Sequence, residues 1–462
     1  MARTWAISGV DLHVDVGSTS VRASLENAVR DAVRSGRLPE GLRMPSSRQL
    51  AADLGLARNT VADAYGQLVA EGWLVARQGS GTRVAARVPE RDRLVHEEGT
   101  PVRPRYDLRP GTPDLASFPT SAWSAAMRRS LAATPADALG YGDPRGCTEL
   151  REALAGYLAR ARGVRADPER IVVCSGFAQG LALLCSVLLA RGASTVAVEA
   201  YGLAACRQIV VRSGLGTTAL SVDEHGAVVG GLSDEGAVVL TPAHQFPLGP
   251  SLAPSRRSAV AAWAAESGGI AIEDDYDGEF RYDRHPVGAM QALAPDHVVY
   301  LGTASKTLAP GLRLAWMVLP TALVGPVLEA KADADYTSAL EQLTLAEFIR
   351  SGGYDRHVRA RRLAYRRRRD LLVRTLARNV PAVAVTGIAA GLHALVTLPD
   401  GVSEEEVGVR AARHGLVVGR LAEYRAGGQD HPPALVVGYA TPPEHAYTGA
   451  LARLVAALSS QE

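Results

Sequence analysis

"LGTASKTLAPGLRLAW", residues 301–316, sets a lysine among small residues directly after an apolar, strand-like run, "HVVYLGT". Lys306 is one of two lysines in a chain of 462 residues, the other being Lys331; arginine carries the positive charge everywhere else. A guanidinium does not give up its proton, whereas an ammonium on a flexible stem does so when its surroundings favour it. A lysine kept at 306 points to a role that needs a neutral, nucleophilic amine.

The surroundings of that lysine set the fold class. From about residue 106 onward, the runs "RIVVCSG", "STVAVEA", "GAVVLTP", "GIAIEDD" and "HVVYLGT" alternate with Ala/Leu-rich stretches of helical period. Strands alternating with helices predict an α/β domain with a mainly parallel sheet. Such sheets bind ligands at the carboxyl ends of their strands, and polar residues gather at those places. "IEDDYDGEFRY" puts Asp274 and Tyr276 two apart, on one face at a strand end. "SGFAQG" joins a strand to a helix, so that the amides of Phe177 and Ala178 face an anion. Thr303 and Ser305 flank Lys306, Arg313 follows seven residues later, and Tyr201 in "VEAYG" is placed to stack on a planar ring. Pyridoxal 5'-phosphate (PLP) needs this set: a lysine for its aldehyde, a carboxylate for its ring nitrogen, a donor for its phenolic oxygen, and hydroxyls, helix amides and a cation for its phosphate. Taken singly, the parts are commonplace; their order along the chain carries the reading. Lys331, in "VLEAKADADYTSAL", reads as an ordinary surface residue of a helix.

The composition, 47% hydrophobic and 21% charged with a formal net charge of +2, is that of a globular protein and excludes neither nucleic acid nor metabolites as partners. Cys147, Cys174, Cys185 and Cys206 form no CxxC pair and have no histidine cluster nearby in sequence, so they predict no metal site and read as reduced thiols of a cytoplasmic protein. No basic segment followed by an apolar core opens the chain. "IVVCSGFAQGLALLCSVLLA", 171–190, approaches the length of a membrane span. Ser175, Gly176, Gln179 and Gly180 interrupt it, and a strand, a turn and a buried helix explain it better, so no membrane partner is expected.

Three segments follow: a DNA-binding domain over 12–88, a linker over 89–105, and the α/β domain over 106–462. In the first, Pro45, Ser46 and Ser47 start and cap a helix with Leu50, Ala51 and Leu54 on its apolar face, and Gly55 ends it. Leu56, Val61, Ala64, Tyr65 and Leu68 fall at helical spacing and give the next helix its apolar stripe. "GWLVARQGSGTRV" reads as two short strands around a glycine turn. A helix-turn-helix with a wing places Arg58, Asn59 and Thr60 at base edges, Arg48 and Arg77 at phosphates, and the amides of Gly79 and Ser80 at the neighbouring groove or backbone of double-stranded DNA. A helical protein-interaction module with solvated arginines is the competing reading. "RHVRARRLAYRRRRDLL", 356–372, is either a solvated basic helix face, with Val358, Leu363, Leu371 and Leu372 buried, or a secondary DNA track.

"PSSRQLAADLG", "ARNTVADAYGQL", "EGWL" and "RQGSGTRV" together resemble the GntR-type winged helix. The stretches "LRPGTPDLASFP", "YGDPRGCTELREALAGYLARARGV", "TPAHQFPLG", "IEDDYDGEFRY" and "GTASKTLAPGLRLAW" resemble fold-type-I aminotransferases. The pair resembles the MocR subfamily of GntR regulators. The resemblance implies operator binding through Arg48, Arg58, Asn59, Thr60 and Gly79, and PLP bound by Lys306, Asp274, Tyr276, Thr303, Ser305 and Arg313. It also implies a head-to-tail homodimer, and vestigial transaminase activity at most. Departures stand beside it. Two arginines that hold a substrate carboxylate in the wider family are replaced here: Leu203 stands two residues after Tyr201, and "PALVVGYATP" near the C-terminus has none. Arg145, Arg420 and Arg425 are the candidate substitutes. The expected function is a transcription regulator sensing PLP or a PLP-reactive amine and controlling vitamin B6 biosynthesis, with control of amino-acid or amine metabolism (GABA or taurine) and aminotransferase activity as the alternatives.

Overall fold

The structure, a computed structural model, describes residues 2–7, 10–15, 21–77, 80–86, 104–282, 287–331, 337–427 and 430–459, the first two stretches as backbone only. The chain divides into two compact units, Met1–Pro101 and Val102–Glu462.

In the first unit, helices Val21–Arg34, Ser47–Leu54 and Arg58–Ala70 share one core. Leu25, Val29, Leu50, Val61 and Leu68 are fully buried at helical spacing. Ser46 caps the second helix, its side chain accepting from the Gln49 amide at 3.2 Å, and Gly55 ends it at φ 60°. Strands Leu74–Arg77 and Gly81–Val84 pair antiparallel, Leu74 opposite Val84 and Arg77 opposite Gly81. Only the base of this wing, Leu74 and Val84, reaches the core, and its other strand residues are exposed or half-buried. A further antiparallel pair, Ala2–Ile7 with Val10–Asp15, begins before residue 12, the start read from sequence.

The second unit holds a seven-stranded sheet. Its order is Ile171–Cys174, Ala315–Val318, Val298–Thr303, Ile270–Asp275, Ala237–Leu240, Thr195–Glu199 and Gly216–Leu220. All neighbours run parallel except around Ala315–Val318, which is antiparallel to both of its own. Alternate residues of one strand enter different cores: Ile171 and Val173 on one face, Val172 and Cys174 on the other. With both faces covered, the strands read as continuous apolar runs. The 171–190 stretch is strand, turn and the helix Phe177–Ala190, and no helix among the described residues is long and apolar enough to cross a membrane.

A second, mostly antiparallel sheet orders Ala384–Thr386, His393–Thr397, Ala434–Gly438, Leu416–Arg420 and Tyr106–Leu108. Against it packs the helix Gly353–Asn379, whose arginines are not all solvated. Arg368 is buried and paired with Asp114 at 2.7 Å and Glu444 at 3.0 Å, while Leu363, expected inside, is 55% exposed.

Lys331 also departs from the surface reading. It is 3% exposed, and its ammonium donates to the carbonyls of Pro144 at 2.6 Å and Val173 at 2.8 Å. The reason lies in its helix, Thr321–Lys331: Leu323, Val327 and Lys331 recur every four residues and form its buried face.

Candidate functional site

Five strand ends converge on a cavity of about 350 Å³. Glu199, Asp274 and Thr303 line it from the last residues of three strands, and Thr241 and Gly176 line it just past two others. Lys306 enters from the turn after Val298–Thr303, and its Nζ donates to the Gly111 carbonyl at 2.5 Å. Burial lowers the Lys306 pKa, against Asp274 and Asp277, which favour the ammonium. Asp274, next to last in its strand, has a half-buried side chain on the cavity, and its carboxyl has no hydrogen-bond partner among the described residues. Burial raises its pKa well above the usual carboxylate range, Lys306 opposing. The Tyr276 hydroxyl donates to the His244 carbonyl at 3.1 Å and lies 3.2 Å from His244 Nδ1.

At one corner, the helix Phe177–Ala190 points its first turn at the cavity, with Phe177 and Ala178 in the lining. First-turn amides have no partner within their helix and attract anions. Gly176 before it has φ 153°, and a Cβ there would stand 2.8 Å from Arg313 Nη2. Any side chain there would be strained at that φ and would push the guanidinium aside. Arg313 is itself left-handed at φ 53°, the one non-glycine residue with positive φ among those described. The Thr303 hydroxyl donates to Ser305 Oγ at 2.9 Å and accepts from the Ser305 amide at 3.1 Å, completing a corner of hydroxyls, amides and a cation.

In the N-terminal unit, Arg58 and Asn59 open the helix Arg58–Ala70 as exposed residues, with Thr60 half-buried behind them. Arg48 and Arg77 are exposed, and neither they nor Arg58 has a carboxylate partner among the described residues. The Ser80 amide donates to the Arg77 carbonyl at 3.1 Å and turns the wing; Gly79 lies outside the described residues.

Residues 16–84 match the family described as bacterial regulatory proteins, gntR family, and residues 107–426 match aminotransferase class I and II. An HTH-type pyridoxine biosynthesis transcriptional regulator, PdxR, of Corynebacterium glutamicum is 34% identical over 96% of this chain and 96% of its own. A probable rhizopine catabolism regulatory protein, MocR, of Rhizobium meliloti is 31% identical over 84% of each chain. The chain belongs to the MocR-type GntR regulators. Among solved structures, a Pyrococcus horikoshii kynurenine aminotransferase matches with a TM-score of 0.68 at 26% identity, over 76% of this chain and 90% of that one.

This MocR-type regulator is thus a transcription regulator with a GntR helix-turn-helix and a fold-type-I aminotransferase domain, a combination that implies DNA binding. Its cavity differs from the sequence reading in three respects. Tyr201 does not line it. Tyr201 belongs to a buried cluster with Leu248, Leu395 and Leu421, and its hydroxyl accepts from the His431 amide at 3.2 Å. None of the three candidate arginines lines it either. Arg145 is held by Asp143 and Glu169, Arg420 by Glu423 and Arg425 by Asp430. And two charged residues that the sequence did not single out do line it, Glu199 and Arg207. Glu199 accepts from Thr241 Oγ1 at 2.6 Å and from Gln245 Nε2 at 3.2 Å, and burial pushes its carboxyl up to about 7. Its position in "VEAYG", last in an apolar strand, is a signal that was available.

Behind Tyr276 lies a buried group far apart in sequence: His244, Asp277 and His393, with ligand atoms within 4.8 Å of one another. His244 Nδ1 is 2.9 Å from Asp277 Oδ2, and the His244 and His393 rings are 5.0 Å apart. Desolvation lowers the His393 pKa well below that of a free imidazole.

Proposed function

We propose that this regulator binds PLP in the cavity through Lys306 and couples the state of that site to operator binding by the winged helix. The unpartnered Asp274 carboxyl is the observation that carries the reading. An acid in that setting is costly unless a cation meets it, and the protonated ring nitrogen of PLP is such a cation. The remaining residues fit the same group. Arg313, lying on Gly176, with the amides of Phe177 and Ala178 and the hydroxyls of Thr303 and Ser305, suits the phosphate. Tyr276 is the donor for the phenolic oxygen, and Lys306 is an amine whose pKa burial lowers. When bound, PLP supplies an aldehyde that exchanges between amines. The protein's part is to keep Lys306 able to lose its proton, hold Asp274 ionised opposite a cation, and shield the site from water.

On the DNA side, Arg58, Asn59 and Thr60 read base edges, Arg48 and Arg77 hold phosphates, and Gly79 and Ser80 supply wing amides. The unit boundary between Pro101 and Val102 supports a linker before the large domain, which assembles as a head-to-tail homodimer and acts in the cytoplasm. What is sensed is PLP or an amine that reacts with it. Control of PLP supply is supported by identity to a relative named for pyridoxine biosynthesis. Lys306→Ala tests the assignment. Wild-type protein with PLP develops a visible absorption band and a borohydride-stable adduct on the peptide containing residue 306. The variant develops neither, and a surviving covalent adduct overturns the assignment.

A further inference from the structure

We infer that Asp277 and His244 are positioning residues for Tyr276: Asp277 fixes which nitrogen of His244 carries the proton, and the ring so fixed leaves the Tyr276 hydroxyl proton free for a ligand oxygen in the cavity. The inference rests on PLP being bound at Lys306 and adds what makes Tyr276 a donor to it.

Three segments far apart in the chain meet here. Asp277 lies two residues past the strand Ile270–Asp275, and His244 lies in the loop after Ala237–Leu240. His393 opens a strand of the second sheet. His244 Nδ1 is 2.9 Å from Asp277 Oδ2, and their side chains are 3% and 1% exposed. Gly391 closes over the pair. Its φ is 72°, and a Cβ there would run into Asp277 Oδ2 and His244 Nδ1, so bare backbone lies on the pair and keeps water from it. A hydrogen bond to a carboxylate in so dry a place is strong.

The rest follows from one proton. A carboxylate only accepts, so the Nδ1 that meets it is the protonated nitrogen. The Tyr276 hydroxyl, 3.2 Å from the same Nδ1, finds no acceptor there. It donates instead to the His244 carbonyl at 3.1 Å, a neutral acceptor that the anionic phenolic oxygen of PLP outcompetes. Burial, then Asp277 and Asp274, raise the Tyr276 pKa well above its ordinary value, so the hydroxyl keeps a proton to give. His393 adds no charge: desolvation and then His244 hold its pKa low, and its Nε2 donates to the Pro247 carbonyl at 3.2 Å. Glu199 and Lys306 are the ionisable groups around Tyr276 from the remaining walls. Without Asp277, His244 Nδ1 becomes an acceptor and draws the Tyr276 proton away from the cavity.

The test reads the pH midpoint of the visible band of the PLP-loaded protein, which follows the proton on the Lys306 nitrogen. A donor on the phenolic oxygen weakens that oxygen's hold on the same proton, so losing the donor raises the midpoint. Tyr276→Phe should raise it by about 0.5–1 pH unit, the worth of one hydrogen bond. Asp277→Ala also removes a negative charge, which by itself lowers the midpoint, and a double-mutant cycle separates the two effects. With Tyr276 present, Asp277→Ala should move the midpoint at least about 0.5 pH unit further upward than it does in the Tyr276→Phe protein. Equal shifts in both backgrounds, or a lower one with Tyr276 present, overturn the inference while the band still supports PLP at Lys306. Neutron diffraction from crystals of the PLP-loaded wild type reads the same proton even where Asp277→Ala does not fold. Deuterium on His244 Nδ1 is the expected result, and deuterium on Nε2 alone overturns the inference. If wild type never develops the band, the PLP reading has failed and this inference fails with it.

Discussion

Two opposed pulls act on Glu199, Asp274 and Lys306 in the cavity, and Glu199 shows them most cleanly. Its folded-state pKa, about 7, lies above the ordinary glutamate value of 4.5, because burial disfavours the carboxylate more than Thr241 and Gln245 support it. The folded chain therefore holds this proton where the unfolded chain has released it. The linked stability is fully present below pH 4.5 and is lost as pH rises through about 7. Glu199→Gln removes the titration. Its stability relative to wild type should rise between these pH values by on the order of 3 kcal/mol in urea unfolding of the PLP-free protein, then level off. A difference independent of pH would show that Glu199 is solvated. At this scale the sequence was legible where a residue type is rare, as with Lys306. It was misleading where type is a weak guide to place: Tyr201, an aromatic at a strand end, turns to the second sheet's side for a hydrogen bond to the His431 amide.

At the scale of elements, the helix Phe177–Ala190 works through its first turn, and the turn works because residue 176 is glycine. Gly176→Ala demands a strained φ and drives a methyl into Arg313. PLP affinity should fall at least about tenfold by fluorescence titration, with the fold intact by circular dichroism; unchanged affinity would remove Arg313 from the phosphate corner. The helix Arg58–Ala70 makes the parallel case for DNA. Arg58→Ala should cost roughly 1–3 kcal/mol and relax base preference, whereas Arg77→Ala should weaken all sequences alike and flatten the salt dependence. Gel-shift titrations that leave both variants at wild-type affinity would shift DNA reading away from the winged helix. These elements were legible because periodicity and caps are local: Ser46, Gly55 and the apolar stripes of the two helices appear in the structure as read, except that Leu56 stands before the second helix and is only half-buried. The face of Gly353–Asn379 was not, since Arg368 is buried by Asp114 and Glu444, partners far away in the chain.

For the whole molecule, a ligand shifts DNA binding only by as much as it favours one arrangement of the protein over another. The cavity is suited to that, because Asp274, Lys306 and Gly176 come from separate strands and turns, and one bound molecule would tie them together. The assembly should sediment as a homodimer at micromolar concentration with PLP bound; a monomer under those conditions would contradict the proposed head-to-tail pairing. The mainly parallel sheet was readable from apolar runs alternating with helical stretches, but the group of His244, Asp277 and His393 was not, since only the finished sheets bring it together. The placing of the two lysines also makes the fold its own reporter. Lys331 is sealed against the carbonyls of Pro144 and Val173, and Lys306 is turned into the cavity. A protease that cuts only after lysine finds no exposed target in the described residues of the native chain, yet splits the unfolded chain into 1–306, 307–331 and 332–462. The rate at which those fragments appear measures opening of the large unit directly, and a molecule that settles in the cavity should slow it.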